Sequence, residues 1–202
     1  MSTTRGTIRQ YWVALRLLVV FTVALGVVYP LVITGIAHIA FPSQANGSLV
    51  RVDAQAVGSS FIGQSFTDAK GNPLPQWFQS RPSAAGDGYD PRASSGSNAG
   101  PESGDLVSAI AKRRAAIAAF DGVDPSAVPA DALTASASGL DADISPTYAR
   151  LQVDRVAHAR GLSETDVAKL VESKIQNGDL GYLSAPTVNV LELNIALSHL
   201  SN

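Results

Sequence analysis

An uninterrupted apolar run near the N-terminus, residues 17–40, constrains this 202-residue chain more than any other feature. The run contains no Asp, Glu, Lys or Arg, and fourteen of its positions are Leu, Ile, Val or Phe. A helix that spans a bilayer needs about 20 such residues. Each of these side chains favours insertion by roughly 0.3–0.6 kcal/mol, which outweighs the mild polarity of Thr22, Thr34 and His38. The run therefore predicts one transmembrane helix, assigned to residues 11–41.

Two other structures fit this run less well. A cleaved signal peptide has an apolar region of only about 7 to 15 residues, although a cleavage-like Ser43-Gln44-Ala45 follows the run. A helix that is apolar on all sides is uncommon outside membranes, and this property argues against a buried helix of a globular core. Both structures remain alternatives to a permanent membrane anchor.

The distribution of arginines predicts how the span is oriented. Three of them precede or begin the apolar run: Arg5, Arg9 and Arg16. After the run, Arg51 is the first basic residue. Because positive charge is retained on the cytoplasmic side, residues 1–10 are predicted to be a cytoplasmic tail and residues 42–202 a single extracytoplasmic domain. The chain is thus expected to be a single-pass membrane protein.

Composition excludes several classes of function for the part that follows the span. From Arg51 onward there are twelve Lys and Arg residues against seventeen Asp and Glu, a balance of about −5. Nucleic acid is therefore not an expected partner, because no large basic surface can form. The chain has no cysteine, and its three histidines are too few and too scattered for a zinc site. No metal site is predicted.

Small residues inside the span suggest a place where another helix packs. Thr22 and Gly26 lie four residues apart, so they share one face of a helix and allow close approach. Pro30 removes a backbone donor and is expected to disturb the helix. The alternative is that Gly, Pro and Thr are simply common in membrane helices.

The domain after the span is predicted to be of the α+β class. Short strands and turns are expected over residues 43–105, ending in a long surface loop at 94–101. Amphipathic periodicity and capping signals then predict three helices, over residues 105–120, 145–161 and 163–177. The last segment, 188–197, alternates at first and then has helical spacing, so it predicts a strand followed by a helix.

No catalytic motif stands out in the sequence. Gly-x-Ser-x-Gly, the Ser-x-x-Lys and Lys-Thr-Gly pair, the Walker-type phosphate loop and Gly-x-Gly-x-x-Gly are all absent. The acids Asp141 and Asp143 could bind a cation or act as acid and base. They could equally support the positive start of the helix that follows Ser145 and Pro146. The chain is expected to be non-catalytic by itself.

Several short motifs, in this order, resemble the C subunit of the bacterial high-affinity potassium-transporting ATPase, the Kdp complex. They extend from just after the span almost to the C-terminus: Gly63-Gln64-Ser65-Phe66, Arg81-Pro82-Ser83-Ala84, Gly96-Ser97-Asn98 with Gly100-Pro101, Ala135-Ser136-Ala137-Ser138-Gly139-Leu140-Asp141, Ile144-Ser145-Pro146, Gln152-Val153 with Arg155-Val156-Ala157, and Val188-Asn189-Val190-Leu191 with Leu193-Asn194. The chain departs from the family pattern at Ala142 and Asp154, where proline is usual or frequent.

The resemblance implies an accessory subunit of a P-type pump in the bacterial inner membrane. Its partners would be a potassium-channel-like subunit, an ATP-hydrolysing subunit and a small single-helix subunit. The family is described as a catalytic chaperone that raises the pump's affinity for ATP, with no cofactor of its own. A nucleotide contact is proposed around the segment that holds Gln152 here. The alternative function is a free-standing, membrane-anchored binding domain.

The predicted orientation and a direct nucleotide contact conflict. ATP is cytoplasmic, so an extracytoplasmic domain acts on it indirectly, or else the orientation is reversed. The arginine distribution favours the predicted orientation. In that orientation, an acidic surface near the potassium entrance would raise the local cation concentration, and Asp141 and Asp143 are the candidates for this cation steering.

Overall fold

The computed structural model describes residues 3–200. The chain divides into two compact units, Met1–Leu49 and Val50–Asn202. The first unit is helical, and the second combines helices with short strands. This arrangement confirms the α+β class with one long N-terminal apolar helix. Helical structure begins at Thr3, inside the segment predicted as a tail.

The long apolar helix is continuous in the chain but not uniform. It consists of α1 (Thr3–Val23), a π-helical turn (Ala24–Val28) and α2 (Tyr29–Ala40). The stretch Thr7–Ala40, 34 residues long, is long and apolar enough to cross a membrane, and none of its most apolar window is buried. The interpretation as a buried core helix is therefore wrong. A short helix, α3 (Pro42–Ala45), follows Phe41.

The irregular turn lies directly before Pro30, the residue expected to disturb the helix. In the π turn the N–H of Tyr29 donates to the carbonyl of Ala24, five residues back. Pro30 has no N–H, and its ring would collide with the carbonyl four residues earlier in a regular helix. Widening of the preceding turn relieves that collision, since π turns insert one extra residue into a helix.

The second unit begins with a β-hairpin, β1 (Leu49–Val52) and β2 (Gln55–Ser59). Its two turn residues, Asp53 and Ala54, have φ of 49° and 67°. Two residues with positive φ between antiparallel strands match the twist of a hairpin. Residues 60–103 contain no further helix or strand apart from turns and isolated bridges, which confirms the loop predicted at 94–101.

The rest of the second unit contains helices and a small antiparallel sheet of order β3-β5-β4, whose central strand contacts α6 and α9. Their bounds are α4 (Gly104–Asp121), α5 (Ala130–Leu133), β3 (Asp143–Ile144), α6 (Pro146–Leu151), α7 (Val153–Arg160), α8 (Glu164–Ser173), β4 (Ile175–Gln176), β5 (Thr187–Asn189) and α9 (Val190–Ser198). In the sheet, Val188 pairs with Ile144 on one side and with Ile175 on the other. The core contains Phe78 and apolar residues from α6 to α9.

Two predicted helices differ from the structure. The helix over 145–161 is divided at Gln152 into α6 and α7. The helix predicted over 163–177 ends at Ser173, and the side chain of Ser163 makes no capping hydrogen bond. Its final residues form β4 instead, because Ile175 pairs with the buried Val188. The first helix and the strand-to-helix transition into α9 are confirmed.

Candidate functional site

A segment without helix or strand, residues 74–83, passes through the second unit; it begins with a turn, in which the N–H of Trp77 donates to the carbonyl of Leu74. Phe78 in its centre is completely buried. Buried backbone groups need hydrogen-bond partners, and a neighbouring strand usually provides them. Here the partners are side chains of α7, of α9 and of Gln152, which lies between α6 and α7. We call residues 74–83 the clamped segment.

Two buried side-chain amides each bond both the N–H and the carbonyl of one residue at the centre of the clamped segment. Asn194 of α9 accepts from the N–H of Phe78 at 2.9 Å and donates to its carbonyl at 3.0 Å. Gln152 accepts from the N–H of Gln79 at 2.6 Å and donates to its carbonyl at 3.1 Å. A primary amide has one acceptor and two donors, so it can replace one residue of a neighbouring strand.

Arg155 of α7 connects this segment to α4. Its Nη1 donates to the carbonyls of Pro75 (2.6 Å) and Trp77 (3.0 Å), and its Nη2 donates to Oε1 of Gln152 at 2.7 Å. Its Nε donates to Oδ1 of Asp121 at 2.6 Å. The guanidinium fork is therefore bonded on all sides, as a buried charge requires.

The Arg155–Asp121 pair is almost inaccessible to water. The exposed fraction of the side chain is 6% for Arg155 and 2% for Asp121. The ring of Phe120 lies below the guanidinium, 4.5 Å from ring centroid to Cζ. Burial raises the pKa of Asp121, and the hydrogen bond and charge of Arg155 oppose that shift. Removal of one partner would leave the other as an isolated buried charge.

Arg160, at the end of α7, holds the start of the clamped segment. Its Nε donates to the carbonyl of Gln76 at 2.9 Å, and its Cζ lies 4.3 Å from the centroid of the Trp77 ring. Together with Gln152 and Arg155 it makes α7 and the residue before it the main support of the segment. The position of the segment therefore depends on α7.

Gln152 thus has a structural role that the sequence did not predict. Its side chain is completely buried and positions both Gln79 and Arg155. Contact between this side chain and a nucleotide stays a prediction, and it would require α7 to separate from the clamped segment. The role of Arg155, Asp121 and Asn194 was also not predicted. The available signal was a polar residue among apolar ones: Arg155 lies between Val153 and Val156, and Asn194 follows Leu193.

A second cluster joins motifs that lie far apart in sequence. Nη1 of Arg81 lies 2.8 Å from Oδ2 of Asp141, and the N–H of Gly63 donates to the carbonyl of Leu140 at 2.9 Å. Oγ of Ser83 donates to the carbonyl of Gly139 at 2.6 Å. The loop around Gly139 is therefore fixed against the end of the clamped segment.

Tyr89 completes this second cluster. Its hydroxyl donates to the carbonyl of Arg81 at 2.7 Å. Burial raises the pKa of Tyr89 to about 12, so the hydroxyl keeps its proton at any physiological pH. Asp141 is thus held in an ion pair at the edge of a hydrogen-bonded cluster, rather than free in a mobile loop.

Asp143 lies in β3, opposite Asn189, whose Nδ2 donates to its Oδ1 at 3.2 Å. Burial, and then the charge of Asp141, raise the pKa of Asp143. The side-chain cap of α6 is Ser145, whose Oγ accepts from the N–H of Tyr148 at 3.0 Å, and Asp131 accepts from the N–H and the hydroxyl of Ser145 at 2.8 and 2.9 Å. Support of the helix start by the charges of Asp141 and Asp143 stays a prediction. Cation steering by Asp141 and Asp143 stays a prediction.

The predicted packing residues lie on the surface of the first unit. Thr22, Gly26 and Pro30 are exposed, and no atom lies within 4 Å of the position that a Cβ would take at Gly26. Gly26 lies inside the π turn. This surface is open to a neighbouring helix, and its use in helix packing stays a prediction.

The histidines and acids do not form a metal centre in the part of the chain that the structure describes: no group of three or more His, Cys, Asp or Glu side chains there could hold a metal ion. His158 and His199 are exposed on α7 and after α9, and His38 bonds the carbonyl of Thr34 within its own helix.

Comparison with known proteins decides the family. Residues 11–199 match the family model described as KdpC, the c chain of the K⁺-transporting ATPase. This chain belongs to the KdpC family. A protein of Kineococcus radiotolerans named potassium-transporting ATPase KdpC subunit is 56% identical over 190 residues, covering 94% of this chain and 93% of the relative.

Other KdpC relatives are nearly as similar. The KdpC subunit of Caulobacter vibrioides is 52% identical over 179 residues, covering 88% of this chain and 86% of the relative. That of Mycobacterium tuberculosis is 48% identical over 193 residues, covering 95% and 99%. The KdpC match spans both the apolar helix and the second unit, so it includes the clamped segment and its supports.

Proposed function

We propose that this chain is an accessory, non-hydrolysing subunit of an ATP-driven potassium uptake pump, which assists assembly and raises the effective ATP affinity of the hydrolysing subunit. The family match carries this proposal, since it covers nearly the whole chain. The buried supports of the clamped segment agree with it. In the described residues every buried polar side-chain atom has a hydrogen-bond partner, so these supports hold the clamped segment in place.

In this proposal the chain lies in the bacterial inner membrane beside three other subunits: one like a potassium channel, one that hydrolyses ATP and a small one with a single helix. ATP acts through the complex, and the chain has no cofactor of its own. The test is purification in detergent. The chain should elute with large multispan proteins, and its removal should raise the ATP concentration that gives half-maximal hydrolysis. Elution of the chain without these proteins would favour a free-standing anchored binding domain.

Orientation is tested by a reporter protein that is active only outside the cytoplasm. Fused after Asn202, the reporter should be active, because the arginines before the span retain the N-terminus inside. Neutral replacements of Arg5, Arg9 and Arg16 together should reduce that activity several-fold. An inactive reporter on the unaltered chain, with activity from a cytoplasmic reporter at the same point, would contradict the orientation and make direct contact with ATP feasible.

Helix packing is tested by Gly26→Leu. The side chain would occupy the open surface at the π turn, and a helix in close contact there would be displaced. We expect recovery of the partner subunits in detergent to fall several-fold. Gly35→Leu is the matched control, since Gly35 is also exposed in the span with no atom within 4 Å of its Cβ position. Equal recovery from both variants would mean that Gly26 faces lipid.

A further inference from the structure

A surface pocket of about 610 Å³ lies beside the second cluster, and none of the functions considered above uses its apolar part. Its walls include Phe61, Ile62, Ala137, Leu140, Asp141 and Asp143. Phe61 is 73% exposed and Ile62 38%. We call this the Phe61 pocket.

The loop that carries Phe61 is held at both ends, although the aromatic side chain itself is in water. Before it, Nδ2 of Asn189 donates to the carbonyl of Ser60 at 2.8 Å. After it, the N–H of Gly63 donates to the carbonyl of Leu140 at 2.9 Å, and the backbone of Asp141 leaves no room for a Cβ at Gly63. The exposed side chain is thus presented by a fixed backbone, which lowers the entropic cost of burying it against a partner.

Negative charge without a matching cation lines one side of the pocket. Asp141 pairs with Arg81, whereas among the described residues no Lys or Arg forms an ion pair with Asp143. The carboxylate of Asp143 bonds uncharged side chains, those of Asn189 and Thr187, and Asp141 and Glu192 add negative charge nearby. A half-buried carboxylate in such surroundings is stabilised by an external cation.

We propose that the Phe61 pocket receives another subunit of the pump, through a large apolar side chain against Phe61 and Ile62 and a Lys or Arg that pairs with Asp143. This inference rests on the proposed function, which requires protein partners. The charge of the pocket selects the occupant. Anionic lipid would be repelled by the acids, and a free potassium ion would leave Phe61 and Ile62 exposed to water. A protein segment can cover the apolar side chains and also neutralise the charge of Asp143.

The test uses the intact detergent-purified complex. Asp143→Asn keeps the shape and the hydrogen bond from Asn189 but removes the charge, and Phe61→Ser removes the apolar contact. Each change should raise the dissociation rate of the chain about tenfold or more, as for a central interface contact. Asp87→Asn and Val107→Ser are matched controls, because both residues are exposed and lie outside the pocket. The controls should dissociate at the unaltered rate.

A photoreactive aromatic residue in place of Phe61 gives a second, independent measurement. Irradiation in membranes should attach the chain to another subunit of the pump, identified by mass. Attachment to lipid only, or no attachment, would overturn the proposal, as would unaltered dissociation of both pocket variants. A raised potassium requirement in Asp143→Asn with unaltered dissociation would also overturn it, in favour of cation steering. If the unaltered chain does not elute with the pump at all, the proposed function itself fails.

Discussion

Arg155→Met is expected to lower the free energy of unfolding of the second unit by about 3–5 kcal/mol, the usual cost of removing one partner of a buried ion pair. Methionine fills a similar volume, so the loss would come from charge and hydrogen bonds rather than from a cavity. Asp121 would remain buried without its cation, and the carbonyls of Pro75 and Trp77 would lose their donor. The fluorescence of Trp77, measured during denaturant unfolding of the full chain with Trp12→Phe as the common background, reports the change.

Arg150→Met is the matched control for this prediction. Arg150 pairs with Glu172 on the surface, where both side chains are about half exposed. Exposed pairs contribute about 0–1 kcal/mol. The double change Arg155→Met with Asp121→Leu should recover part of the loss, because no isolated charge remains. A loss below about 1 kcal/mol for Arg155→Met alone would show that the ion pair does not hold the segment.

Gly139→Ala is expected to destabilise the second unit by about 2–5 kcal/mol, for two separate reasons. Gly139 has φ of +67°, a conformation that costs a residue with a Cβ about 1–2 kcal/mol. A Cβ would also lie 2.6 Å from the carbonyl oxygen of Ser95 and 2.7 Å from the amide nitrogen of Ala85. Relief of such overlap typically costs about 1–3 kcal/mol more. Denaturant unfolding of the full chain measures the sum.

Gly122→Ala separates the two reasons. Gly122 ends α4 with φ of +68°, nearly the same as Gly139, yet no atom lies within 4 Å of its Cβ position. Gly122→Ala should therefore lower the free energy of unfolding only by the conformational cost of the positive φ, about 1–2 kcal/mol. If the two variants are equally stable, the close approach of the loops at Gly139 does not contribute to stability.

Elements with a strong local pattern could be predicted from the sequence. The apolar span, α4, and the change from β5 to α9 all follow from hydropathy and capping within a few neighbouring residues. β4 could not be predicted, because Ile175 and Gln176 continue the helical periodicity of α8. They adopt a strand only because Val188 lies beside them.

The candidate site could be predicted only in its parts. The resemblance drew attention to Arg81, Gly139, Gln152 and Arg155, but nothing local connects them. Gln152 bonds Gln79, which lies 73 positions away in sequence, and Asn194 bonds Phe78, which lies 116 positions away. Such contacts have no periodicity that a sequence pattern can show. Buried polar residues on the apolar side of a helix are the one local signal, and they indicate a partner without identifying it.

The clamped segment also determines which amide protons are protected from solvent exchange. In a sheet, an N–H is released when the neighbouring strand frays, whereas the N–H groups of Phe78 and Gln79 are bonded to side chains of Asn194 and Gln152. These protons exchange with deuterium only when α9 or the α6–α7 junction moves away, or the whole unit opens. Their exchange rates therefore measure the local opening of helices that are distant in sequence, which makes these two amides internal reporters of how firmly the C-terminal helices are docked.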